Sequence, residues 1–153
     1  MPATATKIAI NQPRLQRLYA YWLEKRGARA MPSRADIDPL DIRFVMGDVV
    51  LVDVVNETPP RFRIRLHGTN LSERTNFDLT GKMLDEMPVP EFRDLSTRSF
   101  RKVVRTRAPL HALADRMIDG RTHRYEAIIL PLSDDGEQVD RLMVCMIFEP
   151  LRS

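Results

Sequence analysis

At 153 residues the chain is long enough to bury a real core as one domain. A hydrophobic share of 43% beside a charged share of 29% is that of a soluble globular protein, and no run nears the roughly 18 apolar residues of a membrane span. The net charge of +3 permits an anionic partner without requiring one.

The start, MPATATKIAI, lacks the charged head and apolar centre of a signal peptide. Cys145 is the only cysteine, so no internal disulfide forms. A cytoplasmic location is the expectation. Residues 1–10 carry no pattern and are expected to form a loose arm, followed by one domain over 11–150.

The first helix is expected over 11–26. Leu15, Leu18, Tyr19, Trp22 and Leu23 fall on one stripe, Asn11 can cap its start, and Gly27 can end it. Tyr21 lies just off that stripe. Packing on its own sheet is one use of so wide a face. The other is a homodimer contact through Leu15, Leu18, Tyr19, Tyr21 and Trp22. A turn-rich link follows, in which Asp38-Pro39 opens a short helix that points Leu40, Phe44 and Val45 inward. Val49 to Val55 reads as a strand apolar on both faces.

In RFRIRLH, Phe62, Ile64 and Leu66 alternate with Arg61, Arg63, Arg65 and His67, giving a strand with one apolar and one cationic face. Gly68 breaks it, and Thr69 can cap a short helix from Asn70. Asp78-Leu79-Thr80-Gly81 is a turn, and Met83, Leu84 and Met87 predict one more helical turn. The second long helix is expected from Pro90 and Glu91 to about Arg107. Its inner stripe is Phe92, Leu95, Ser99, Phe100, Val103 and Val104, with acids early and bases late to suit the helix dipole. Three strands follow: 110–118, 121–132 with Asp119-Gly120 as a two-residue hairpin turn, and 139–148.

Strands 49–55 and 139–148 are apolar on both faces, so they belong at the middle of a sheet covered on both sides. The order of elements and the stretches DLTGKMLDEM and YEAIILPLSDDGEQVDRLM resemble a PAS domain. YWLEKRGARAMPSRADIDPLDI, LVDVV and RFRIRLHGT look like a subfamily of small stand-alone PAS proteins known from alphaproteobacteria. The resemblance covers about residues 13–149. It implies an α+β fold with a five-stranded antiparallel sheet in the order 2-1-5-4-3. Helices cover one face and the N-terminal helix covers the other. It also implies a sensory or adaptor module that signals through protein contacts, to a regulatory partner or a second copy.

On that reading a ligand hollow is lined by Phe62, Ile64, Leu66, Asn70, Phe77 and Phe100, with Tyr125 as a polar tip. The resemblance leaves open a small molecule or an empty hollow, since PAS domains hold haem, flavin, organic acids or nothing. Light-sensing PAS domains carry a reactive Cys on the helix after the second strand, and Asn70-Leu71-Ser72-Glu73-Arg74 has none. Haem-binding ones carry a His on the long helix, and Phe92 to Arg107 has none. Neither flavin nor haem is therefore expected. His67, His111 and His123 are too scattered for a metal cluster, and no nucleophile or phosphate-loop motif is present, so no catalytic residue is assigned. The cationic face of Arg61, Arg63 and Arg65 lacks the interleaved aromatics of a nucleic-acid surface, and Arg65 can pair with Glu24 or Asp53. The competing class is a small hydrolase or isomerase using the same hollow. Asp53 and His67 are its only candidate groups.

Overall fold

The computed structural model describes residues 8–150. Three helices, α1 (Pro13–Arg26), α2 (Thr69–Thr75) and α3 (Pro90–Thr106), accompany five strands. These are β1 (Val49–Val55), β2 (Arg61–His67), β3 (Leu110–Ile118), β4 (Arg121–Leu132) and β5 (Arg141–Phe148). All pairings are antiparallel and the sheet runs β2-β1-β5-β4-β3. The two strands that read as apolar on both faces, β1 and β5, are central neighbours, because only a strand covered on both sides can bury both faces. At the β3–β4 turn Asp119 and Gly120 both take positive φ, 51° and 76°, which matches the right-handed twist of the flanking strands.

Helix α1 packs on one face of the sheet. Leu15, Leu18 and Trp22 are buried, and the Trp22 indole Nε1–H donates to the Pro131 carbonyl at 2.9 Å. The start of α1 differs from expectation. Gln12 caps it, its side chain accepting from the Arg14 N–H. Asn11 and Gln12 instead donate their backbone N–H groups to the buried Glu126 carboxylate, both at 2.8 Å. Of the expected loose arm, residues 1–7 lie outside the described residues, while Ile10 is buried in the core.

The centre of the α1 stripe is consumed within the chain, while Tyr19 and Leu23 stay half-buried. The hydroxyl of Tyr21, the off-stripe aromatic, donates to Asp41 and accepts from the Asp38 N–H. Leu15, Leu18 and Trp22 therefore have no surface left to offer a second copy, and Tyr19 stacks on Trp22 with ring centroids 6.2 Å apart. In the link, Pro39 does begin a short 3-10 turn capped by Asp38, but Leu40 is 66% exposed. The tighter three-residue turn rotates Leu40 outward and leaves Ile42 and Val45 to fill the core. On α3 the same kind of correction applies: Ser96 rather than Leu95 is buried, beside Phe100 and Val103.

One irregularity decides which side chains meet the second face of the sheet. Val52 pairs with Ile64, but Leu51 pairs with Leu66, so Arg65 is an extra residue and β2 carries a bulge. A one-residue insertion inverts the alternation beyond it. Leu66 therefore leaves the face shared by Phe62 and Ile64, and His67 joins it.

Candidate ligand-binding site

Between the sheet and the segment from α2 to α3 lies a cavity of about 270 Å³. Its floor is built from Val50, Ile64, Ala127, Ile129, Val144 and Met146, alternate residues of four strands. Leu71, Phe77, Leu79, Leu84, Met87, Phe92 and Phe100 form the walls and roof. The exposed lining residues Leu95, Ala112 and Leu113 put its mouth between α3 and the edge strand β3.

The roof is held by specific contacts. A Cβ on Gly68 would stand 2.3 Å from the Gly47 carbonyl oxygen, so α2 can start this close to the preceding turn only from glycine. Asp48, buried, accepts from Arg14 of α1 at 2.9 Å and from the Asn70 amide at 3.2 Å, tying both helices to that turn. The Gly81 N–H bonds the Ile64 carbonyl at 2.7 Å, and the Ile64 N–H bonds the Lys82 carbonyl at 2.8 Å, which pins the 78–87 segment onto β2.

Against these apolar walls stand five polar residues: His67, Ser96, Ser99, Arg116 and Tyr125. The His67 side chain is only 8% exposed. Its Nδ1 accepts from the Leu79 N–H at 3.2 Å, which assigns the ring proton to Nε2. Burial, with the field of Arg116, pulls the His67 pKa down against the opposing pull of Asp78, so the ring is neutral at pH 7.

Arg116 is 8% exposed, and its guanidinium lies 3.6 Å from the Phe92 ring centroid and 5.8 Å from that of Phe77. Among the described residues its Nε and Nη2 have no hydrogen-bond partner. Burial pushes its pKa down to about 10, with Tyr125 opposing, and it remains a cation at neutral pH. The Tyr125 phenol is pushed up by burial and pulled back by Arg116.

Four residues expected in a hollow line this cavity: Ile64, Phe77, Phe100 and Tyr125. Three do not. Phe62 is buried beneath Phe100, ring edge to face at 5.3 Å, and is solid core. Leu66 is carried away by the bulge. Asn70 points to Asp48 on the outer side of α2. Asp53 is also elsewhere, clamped by Arg65 at 2.8 Å and by Arg141 at 3.3 Å, so it is not the carboxylate of a buried reactive pair. Arg65 takes Asp53 and not Glu24. Arg116 went unnoticed in the sequence, although its parity with Ala112, Ala114 and Ile118 places a charge on the inward face of β3.

Residues 10–147 match the PAS domain family as a sequence pattern. The chain belongs to the PAS domain family. Its structure is similar to that of a light-oxygen-voltage domain characterised with a flavin analogue (TM-score 0.55, 16% identity, 76% of this chain and 88% of that one). It is similar to the PAS domain of Bordetella pertussis BvgS (0.55, 14%, 72% and 84%). It also resembles a sensory box sensor histidine kinase from Vibrio cholerae (0.51, 17%, 73% and 90%). At these identities the likeness is one of PAS fold. No curated protein matches the sequence.

The residues present in this PAS domain do not suit a flavin or a haem. A cavity of about 270 Å³ is too small for either ring system with its side chains. Helix α2 has no cysteine, and Cys145 is fully buried on the sheet face away from the cavity, where burial drives its thiol pKa far up. Helix α3 has no histidine. Among the described residues no group of three or more His, Cys, Asp or Glu is placed to hold a metal ion, and no helix is long and apolar enough to cross a membrane.

Proposed function

We propose that this PAS domain is a sensory or adaptor module of the small stand-alone, cytoplasmic kind. Occupancy of the cavity by a small molecule is passed on through contacts with a regulatory protein or a second copy. The observation that carries this reading is the apolar, roofed cavity with a few convergent polar groups at its wall, the form that small-molecule sites take. Its roof, α2 through α3, closes the cavity over the sheet, so filling or emptying the cavity shifts the elements that face a partner.

The test is native mass spectrometry with an absorbance scan of freshly purified protein, followed by thermal denaturation with small apolar and amphiphilic compounds. The expected result is a colourless protein that retains, or is stabilised by, a compound of modest mass. Saturation at 100 times Kd adds about 2.7 kcal/mol. Stoichiometric visible absorbance, or no retained mass and no stabilisation by any compound, overturns it.

His67 favours a second reading, a small hydrolase or isomerase, since it is a neutral imidazole facing a cavity. Against it, the carboxylate that stands by that ring, Asp78 at 3.8 Å from Nδ1, is exposed and lies outside the cavity lining, and Nδ1 already accepts from the Leu79 N–H and stands 3.2 Å from the Ser72 hydroxyl.

A further inference from the structure

Arg116 is the one lining group whose chemistry the chain itself leaves incomplete. A charge taken out of water is costly unless it is paired, and each buried N–H left without an acceptor adds to that. The stacking on Phe92 is a cation–π contact, which recovers part of that cost. It approaches the face of the guanidinium and leaves the edge unpaired. Among the described residues no Asp or Glu lines the cavity.

The neighbouring groups supply no counter-charge. Across the strand pair Arg116 faces His123, whose Nδ1 stands 2.9 Å from the Arg74 guanidinium, which donates to it. Asp115, next in sequence, is exposed and pairs with Arg124 at 3.2 Å. His67 is neutral and Tyr125 is a phenol. Bare Nε and Nη2 form one edge of the guanidinium, and that edge is the one that meets both oxygens of a carboxylate at once.

We infer that the cavity binds a singly charged organic carboxylate with a compact apolar body, its two oxygens on the Nε–Nη2 edge of Arg116 and its body among Phe77, Phe92 and Phe100. One cation in the lining sets the charge at one. A dianion or a phosphate monoester would leave a buried negative charge unpaired. Size sets the body. An apolar cavity of about 150 Å³ holds benzene. The 270 Å³ here takes a single ring, or a chain of about six carbons, together with its acid group. The His67 Nε2–H and the Tyr125 hydroxyl supply the remaining donors at the polar wall. This inference rests on the reading of the cavity as a ligand site.

The experiment uses the full chain and four probes: phenylacetate and hexanoate, each beside its neutral amide. Calorimetric titration is run on the native protein and on Arg116→Met and Arg116→Lys. The His67 ring is followed by NMR across pH with and without phenylacetate. The expected result is a preference for each acid over its amide of about ten- to a hundredfold, the size of a charged hydrogen bond. Arg116→Met removes that preference and Arg116→Lys keeps part of it. In the native protein phenylacetate raises the His67 pKa, because its charge offsets the field of Arg116. That last readout needs no variant and stands even where Arg116→Met fails to fold. Equal binding of acids and amides by the native protein, or an unmoved His67 under saturating acid, overturns the carboxylate inference and leaves the ligand-site reading intact. Failure of all four probes to bind the native protein overturns the carboxylate inference, and the ligand-site reading falls with it only if the native protein also retains no mass and is stabilised by no compound.

Discussion

Phe62 and Phe100 touch edge to face, yet they stand in different surroundings. Phe62 is enclosed on all sides, whereas Phe100 has empty cavity on one side. Phe62→Ala should therefore cost about 3–5 kcal/mol in a urea titration, as full core truncations do. Phe100→Ala should cost clearly less, since part of its surface already lacks partners. Equal losses would mean that the cavity is filled by packing in solution. The His67 pKa, held down first by burial and then by Arg116, gives a pH dependence of stability. The unfolded chain takes up a proton near the ordinary histidine value of 6.5, and the folded one only at lower pH. Between those points the unfolded state binds more protons, so the stability due to this group is complete above about 6.5 and is lost as pH falls through the folded value. Urea midpoints from pH 7.5 to 5 should fall more steeply for the native protein than for His67→Gln. Parallel curves would remove His67 from the cavity wall.

At the scale of elements, the bulge at Arg65 and the glycine at 68 together build one side of the site. The bulge turns His67 inward, and Gly68 lets α2 start against the Gly47 carbonyl. Gly68→Ala forces a methyl group to 2.3 Å from a backbone oxygen, where no side chain can yield. It should destabilise by about 1–3 kcal/mol, the usual cost of overpacking, and should loosen ligand binding with it. A variant with unchanged midpoint would show that α2 is free to shift. The two long helices contrast in their use. Helix α1 spends its stripe on the closed face of the sheet, whereas α3 shares its stripe with a cavity, and so Leu95 and Ser99 are not filled in around it.

For the whole molecule, the burial of α1 changes what its aromatic face means. Trp22→Glu puts a charge among Leu15, Leu18 and the β4 backbone, so it should unfold the protein or cost about 4 kcal/mol or more. Circular dichroism with sedimentation checks this. A folded variant with a native midpoint that only shifts from dimer to monomer would restore α1 as a dimer contact. Leu15, Leu18 and Trp22 leave no surface for a partner or second copy, whereas Tyr19, Tyr21 and Leu23 of α1 stay half-buried, and Leu113 and Met117 are exposed apolar residues on the β3 edge.

The sequence by itself determined the sheet. Strands apolar on both faces, the Asp119-Gly120 turn and the striped helices are local patterns, and burying them admits few arrangements. It also located the roof of the site in the stretch from Gly68 to Phe100. The tertiary structure alone decided which side chains face inward. Leu66 and His67 exchanged places because a bulge is a matter of pairing between two strands, invisible in either one. Leu40 and Leu95 turned outward because a 3-10 turn and a shared helix face shift the phase of an otherwise correct stripe. Asn70 and Asp53 left the site because their partners, Asp48 and the Arg65–Arg141 pair, come from distant parts of the chain. Arg116 is the plainest case: its parity on β3 was readable, but that no acid faces it depends on every element packed around it, and only the folded chain brings those together.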